Sequence, residues 1–455
     1  MIGLCCISAD EYKVRKEARR EAFQKLTGSF DIKEFNVEMV YGKNLSIGII
    51  KRKNKPNRDL AIHTIDESEF IGFSGYARIR GQGKYLWAQD FAPLLGELLF
   101  SKRPEEIFED IQGSFQCIVA NGDDLYIVSD RFGSKTQYFY KNSDMTILST
   151  TVGSILNTGF VKKEKDRKGA LQVILSGFFL DDRTLIRKIK RFPPATIYRK
   201  NKNKMETGAP RRYWQIPTKA GENDGQEELI IQDLTLRLRQ SVLNLADLSK
   251  NILVSLSGGL DSRAIACFLR EKYDFETLTY DMKDEAKIAK KVSRKLGVKN
   301  HYASNGTLDE KWFSEEFFRW IMTDRVHGIL NQFFYAPVFK NYFQNGRKTD
   351  AIFDGVYFDE LLSDLFPQYD GSEYNFDKFF KTYGAGNIPI LCEYLNKVSP
   401  SDFIKEAQDV YQNALSVYGD ADDVAKSNLF YFMPRAACDP MWGSQFSQGK
   451  VTLMF

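Results

Sequence analysis

The sequence predicts two domains: an α+β first half rich in antiparallel strands, and an α/β second half built on a parallel sheet. Three observations predict this. At 455 residues the chain exceeds one typical core. Its first half carries short alternating strands joined by tight turns, Asn121-Gly122 among them. Its second half centres on a branched apolar run, Ile252 to Leu256, closed by Gly258 and Gly259 and followed at once by a helical pattern. The expected boundaries are a domain over 1–216, a linker over 217–228 and a second domain over 229–455.

In the first half, Met1 to Ser8 reads as an apolar strand, Asp10 to Leu26 as a charged helix and Leu45 to Lys51 as a strand. Phe73 to Arg80 alternates as a strand, and Pro93 to Phe100 reads as a helix. Ile111 to Ala120 and Asp124 to Asp130 form a hairpin, and Arg131 to Lys135 turns the chain into the strand Gln137 to Tyr140. The basic stretch from Arg187 to Lys204 reads as a solvated hairpin edge, since only Phe192 and Tyr198 interrupt it.

Lys and Arg number 64 against 60 Asp and Glu, a net +4 that asks for no nucleic-acid partner. The six cysteines form neither a CxxC pair nor a zinc spacing. Cys117 and Cys267 stand in apolar runs and read as small buried hydrophobes. There is no signal peptide and no apolar run near the length of a membrane span, so a reduced, cytoplasmic protein away from membranes is expected.

In the second half Leu229 to Leu245 has helical spacing and leads into the apolar strand. The strand, glycine turn and helix follow without a spacer, which aims backbone N–H groups and the positive helix end at an anion. Gly258 and Gly259 let the backbone approach phosphate oxygens, Ser257 and Ser262 add hydroxyls, and Asp261 adds a carboxylate suited to magnesium. Ser-Gly-Gly-x-Asp-Ser is the pyrophosphate-loop signature and lacks the Gly-Lys-Ser/Thr of a Walker loop. ATP and Mg²⁺ are the expected ligands. Glu276 to Asp281 is the next strand and Lys283 to Gly297 an amphipathic helix, where Asp284 and Glu285 read as helix-start charges. His301 begins a further strand and reads as structural.

These motifs resemble the asparagine synthetase and β-lactam synthetase superfamily. Gly113-Ser-Phe115, Ser129 to Lys135 and Tyr138 to Tyr140 resemble its Gly-x-Phe-Ala and Arg-Asp-x-x-Gly-x-Lys-Pro-Leu-Tyr-Tyr segments, and Tyr213-Trp214 its closing pair. The resemblance implies a first domain of the N-terminal-nucleophile type, a four-layer αββα sandwich, and a second of the pyrophosphate-loop type with added helices. It also implies that Leu256 belongs to the nucleotide loop and that Thr279 and Tyr280 lie against adenine. The segment Ala351 to Leu362 resembles the superfamily's Ser-Gly-Glu-Gly-x-Asp-Glu-Leu loop. By that match the Gly355 backbone touches nucleotide, Asp359 is the second magnesium carboxylate beside Asp261, and Glu360 is its neighbour in the site.

Three departures shape the functional expectation. Ile2 stands where glutamine-using members have the nucleophilic Cys, with Cys5 and Cys6 further on, so glutaminase activity is expected to be lost. Val356 stands where members carry a proton-handling Glu or Tyr, so either Tyr357 substitutes or the amine arrives already neutral, as ammonia would in part. The chain stops at Phe455, ahead of the superfamily's catalytic lysine segment. The expected function is ATP-dependent amide-bond formation through an acyl-adenylate, releasing AMP and pyrophosphate. The carboxylate is a small molecule or peptide, ammonia or an amine is the nitrogen donor, and a homodimer is compatible with this reading. The alternatives are a catalytically degenerate nucleotide-binding scaffold and a peptide or β-lactam-type cyclase.

Overall fold

The computed structural model describes residues 3–9, 14–28, 35–42, 45–53, 57–66, 69–122, 124–176, 179–201, 210–215, 226–281, 285–305, 338, 342–343, 347–355, 400–415 and 451–453. The first half begins β1 (Gly3–Ala9), α1 (Lys16–Thr27), β2 (Phe35–Tyr41), β3 (Leu45–Arg52), β4 (Leu60–Thr64), β5 (Phe70–Ile79) and β6 (Leu86–Trp87). It continues α2 (Ala88–Leu99), α3 (Pro104–Phe108), β7 (Ile111–Asn121), β8 (Asp124–Ser129), β9 (Tyr138–Lys141), β10 (Met145–Ser149) and α4 (Val152–Asn157). It closes with α5 (Arg167–Ser176), β11 (Lys190–Arg191), β12 (Thr196–Asn201) and β13 (Arg211–Arg212). One antiparallel sheet has the order β11-β9-β10-β1-β3-β2 and a second β13-β12-β8-β7-β5-β4, with β6 on β5.

The period of two along each strand sorts side chains between three apolar layers. Cys5, Ile7 and Ala9 of β1 point to one face, where Phe23 and Leu26 of α1 and Ile155 of α4 cover them. Leu4 and Cys6 point the other way and meet Phe70, Ile118 and Ile127 of the second sheet. The far face of that sheet, with Phe73, Phe115 and Cys117, is covered by Phe91 and Leu95 of α2 and Phe108 of α3. The order is therefore helices, sheet, sheet, helices. Phe73 stacks on Phe115 with ring centroids 5.3 Å apart, which fixes the central pair β5–β7 on its helix side.

Several expectations change here. The second helix starts at Ala88, five residues before Pro93, because Ala88, Phe91 and Ala92 bury its first turns against the sheet. Strands β2 and β4 are additions: Phe35, Val37 and Met39 alternate with Asn36 and Glu38 in β2, but neither strand buries one face fully, and β4 is only five residues long. The basic stretch from Arg187 is not a solvated edge. Its strand β12 pairs with β8 on one side and β13 on the other, Phe192 and Tyr198 fill the space between the sheets, and Arg191 and Lys200 are buried.

The second half comprises α6 (Glu227–Ala246), β14 (Ile252–Ser255), α7 (Leu260–Arg270), β15 (Phe275–Asp281), α8 (Glu285–Lys295) and β16 (His301–Asn305), then β17 (Ala351–Phe353), α9 (Pro400–Leu415) and β18 (Val451–Leu453). Its sheet has the order β16-β15-β14-β17-β18, and every pair is parallel. The chain is thus a mixed α/β protein with a parallel sheet. In chain order, strands are added on one side of β14 and then on the other. The reversal point lies between β14 and β17, and in open parallel sheets that is where the strand ends leave a crevice for ligands.

Helix α6 takes the helical form its leucine spacing predicts, but it buries only its C-terminal end, Val242, Leu245 and Ala246; Leu229, Ile231 and Leu236 are exposed. Cys267 is likewise exposed rather than buried, because α7 turns Ile265, Ala266 and Leu269 to the sheet. Cys117 is buried as expected. The halves share a core: Tyr76 and Trp87 pack with Val242, Leu245, Ile265 and Leu269, and Trp87 Nε1–H donates to Leu248 O at 3.0 Å. Among the described residues no helix is long and apolar enough to cross a membrane.

Candidate functional site

The loop after β14 sits at the reversal point. Leu256 continues the strand, its N–H donating to Leu278 O at 2.9 Å, and Thr279 Oγ1–H donates back to Leu256 O at 2.6 Å. Thr279 is buried by this bond, so it fixes the start of the loop to the end of β15. Tyr280 is the next residue of β15; its side chain lies outside the described residues.

From Ser257 the chain turns into α7. Ser262 Oγ accepts the Ser257 N–H at 3.0 Å and lies 3.0 Å from Ser257 Oγ, while Ser257 Oγ accepts the Gly259 N–H at 3.1 Å. The two expected hydroxyls therefore close the turn upon itself. Gly259 is the N-cap of α7 and has no side chain with which to cap the first turn. Neither Gly258 nor Gly259 has a positive φ. A Cβ on Gly258 would make only ordinary contacts, at 3.4 Å, with Glu285 and Ile288. Among the described residues nothing demands glycine at 258.

Two charged side chains not expected in the site hold this turn. Arg263 donates from Nη2 to Gly258 O at 2.6 Å and from Nε to Gly259 O at 3.0 Å. Glu285, first residue of α8, accepts the Gly258 N–H on Oε2 at 3.3 Å. Arg263 left no signal in the sequence beyond following the loop. Glu285 was visible only as a helix-start charge, because its partner lies 27 residues away.

Gly355 closes the other side. A Cβ there would lie 2.9 Å from Ser262 N and 3.0 Å from Asp261 Cβ, so the backbone after β17 touches the first turn of α7. This contact joins two of the expected site residues, Asp261 and Gly355, across the reversal point. Asp354, buried at the end of β17, adds a carboxylate beside it that the sequence reading did not single out. Its place directly after a buried strand was the available signal. Tyr357, Asp359 and Glu360, with Val356, lie outside the described residues. The expected magnesium pair is thus represented by Asp261 alone. The oxygen donors present, hydroxyl and carboxylate, suit a hard cation and its phosphates. His301 stands at the start of the edge strand β16, level with Thr277 and Val254 and two strands away from the loop, with Nδ1 2.9 Å from Thr277 Oγ1.

In the first half, the segment Ser129 to Lys135 is a buried turn. The Asp130 carboxylate accepts N–H groups of Phe115, Phe132 and Ser134 at 3.1, 2.9 and 3.2 Å and the Ser134 hydroxyl at 2.6 Å. Burial nevertheless raises its pKa above the ordinary carboxylate value. Cys5 and Cys6 lie in the middle of their sheet, β1 being paired with β10 and β3 on either side. Burial pushes the Cys5 thiol up strongly, and that of Cys6 to about 12.

A family model described as "Asparagine synthase" matches residues 233–308, which contain the loop, Thr279 and Glu285. A second, "Glutamine amidotransferase domain", matches residues 98–214. Together they support the asparagine synthetase superfamily. Amidase chyE of Penicillium rubens is 21% identical over 58% of this chain, which spans 42% of that protein's length. Among solved structures, glutamine phosphoribosylpyrophosphate amidotransferase from B. subtilis, complexed with ADP and GMP, covers 66% of this chain and 90% of its own. Its TM-score is 0.31 at 6% identity. An allosteric regulatory enzyme of purine biosynthesis covers 67% and 80% at a TM-score of 0.30 and 7% identity.

Proposed function

We propose that the chain is an ATP-dependent carbon–nitrogen ligase of the superfamily. It activates a carboxylate as its acyl-adenylate, releases pyrophosphate, and transfers the acyl group to ammonia or an amine with loss of AMP. The observation that carries this reading is the meeting of Asp261 and Gly355 at the reversal point of the parallel sheet, beside a Ser-Gly-Gly-Leu-Asp-Ser turn. On this reading residues 229–455 form the pyrophosphate-loop domain and residues 1–216 an N-terminal-nucleophile-type sandwich, joined over 217–228.

The loop and the start of α7 would receive the phosphates, since oriented N–H groups and the helix N-terminus stabilise charge developing there without reorganisation. Tyr280 would border the base, and Thr279, buried with its hydroxyl on Leu256 O, would border it only if the end of β15 opened. Magnesium, when bound, would offset phosphate charge, with Asp261 and Asp359 as the carboxylates to hold it. Tyr357 is the residue proposed to handle the amine's proton, unless the amine arrives already neutral, and Glu360 is its neighbour in the site. The acceptor is a small-molecule or peptide carboxylate, intramolecular cyclisation included.

The first half is proposed to lack glutaminase activity. An N-terminal nucleophile needs its own α-amine free beside the thiol. Cys5 and Cys6 are buried within β1, paired with β3 at both residues and with β10 from Cys6 on, and burial raises both thiol pKa values. Two assays test the reading. ATP–pyrophosphate exchange dependent on a carboxylate should appear, and glutamine should yield no glutamate. Mg-ATP binding without exchange across a broad carboxylate panel would instead favour the scaffold alternative. Glutamate release abolished by Cys5→Ala or Cys6→Ala would overturn the inactive first half.

A further inference from the structure

Gly258 is gripped from both sides by opposite charges. Arg263 holds its carbonyl, and the Glu285 carboxylate accepts its N–H. The other loop donors of known partner are taken by neutral hydroxyls, Ser257 N–H by Ser262 Oγ and Gly259 N–H by Ser257 Oγ. Of these contacts, only that of Glu285 brings a negative charge onto a loop N–H.

We infer that the Glu285 carboxylate stands in for a phosphate oxygen on the nucleotide-free loop and leaves when the phosphates arrive, so that it sets the loop's affinity for polyphosphate. The inference rests on the nucleotide reading above. Its chemistry follows from the geometry. A carboxylate and a phosphate are both anionic acceptors, and one N–H serves one of them well. The bond is 3.3 Å, beyond the usual 2.7–3.2 Å range for N–H···O, so an incoming phosphate replaces a weak contact. Leaving the loop does not strand the charge, because Glu285 begins α8, where the helix dipole favours a carboxylate. Staying would put it against a polyanion, and like charges at that range repel. Arg263 is untouched by the exchange and keeps both carbonyls bonded. An internal anion of this kind also explains how a glycine turn with exposed donors keeps its shape before the ligand binds.

The prediction has a sign that a merely structural role does not give. Glu285→Gln keeps the length and an oxygen to accept the Gly258 N–H but removes the charge. It should bind inorganic pyrophosphate and Mg-ATP about three- to tenfold more tightly, the scale of removing one screened charge close to an anion. Glu285→Ala should tighten binding as well. Isothermal calorimetry on the full chain, with circular dichroism to verify folding, reads the change. Weaker or unchanged affinity in Glu285→Gln would overturn the inference and make Glu285 a clamp or a cation ligand. If the wild-type chain binds neither probe, the nucleotide reading falls, and this inference with it. Binding by the wild type with no gain in either variant removes the inference alone.

Discussion

Gly355→Ala tests the central contact of the proposed site. The added Cβ would stand 2.9 Å from Ser262 N and 3.0 Å from Asp261 Cβ, with Asp261 C at 3.3 Å. These fall up to about half an ångström short of the 3.4 Å at which ordinary contact begins. The obstructing atoms are backbone and a Cβ in the first turn of α7, so no side-chain rotation relieves them. Gly355 does not have a positive φ, so alanine meets no backbone penalty and the effect is purely steric. The end of β17 must therefore move off α7. Overpacking of this kind costs about 1–3 kcal/mol of stability. The separation should weaken Mg-ATP binding about 10- to 100-fold, roughly the worth of one hydrogen bond to a charged ligand. Calorimetry gives the affinity and denaturant titration the stability. Gly153→Ala in α4 is the control, since nothing lies within 4 Å of a Cβ there and alanine should be neutral or stabilising. A Gly355→Ala protein with wild-type affinity and stability would refute the juxtaposition on which the functional reading rests.

Asp261→Asn should lower ATP–pyrophosphate exchange by roughly 10²–10³ while leaving the unfolding midpoint nearly unchanged, since it removes an electrostatic contact to the ligand rather than packing. Trp87→Ala should cost about 3–5 kcal/mol, measured by denaturant unfolding, because it empties a buried ring site shared by both halves and strands the Leu248 carbonyl; loss of structure confined to the first half would contradict that shared core. Burial and then the charge of Lys290 hold the His301 pKa below its ordinary 6.5. The unfolded chain therefore binds the extra proton first, so His301 contributes stability that is present above 6.5 and is lost as pH falls through its folded value. Unfolding midpoints from about pH 7.5 to 5 should fall with pH, and the slope should be shallower in His301→Asn.

The features legible in the sequence are those whose causes are local. The Asn121-Gly122 turn, where Gly122 has φ +54°, needs only a residue at ease in the left-handed region. The run Ile252 to Arg263 contains its own strand, turn and helix, and the hydroxyls that close it are five residues apart. The resemblance of Gly113 to Phe115 and Ser129 to Lys135 was likewise carried by short segments, and Asp130 binds mostly within its own turn. Tertiary structure decided the rest. An amphipathic helix states that it has an apolar face but not what covers it, so Cys267 turned outward and the leucines at the start of α6 stayed exposed. Strand β12 looked like a charged edge because its neighbours β8 and β13 cannot be read from its own residues. Glu285 meets Gly258, and Gly355 meets Asp261, only because β14 has β15 on one side and β17 on the other. Strand order comes from pairings across tens of residues, and those depend on the packing of the whole sheet rather than on the propensity of any one segment.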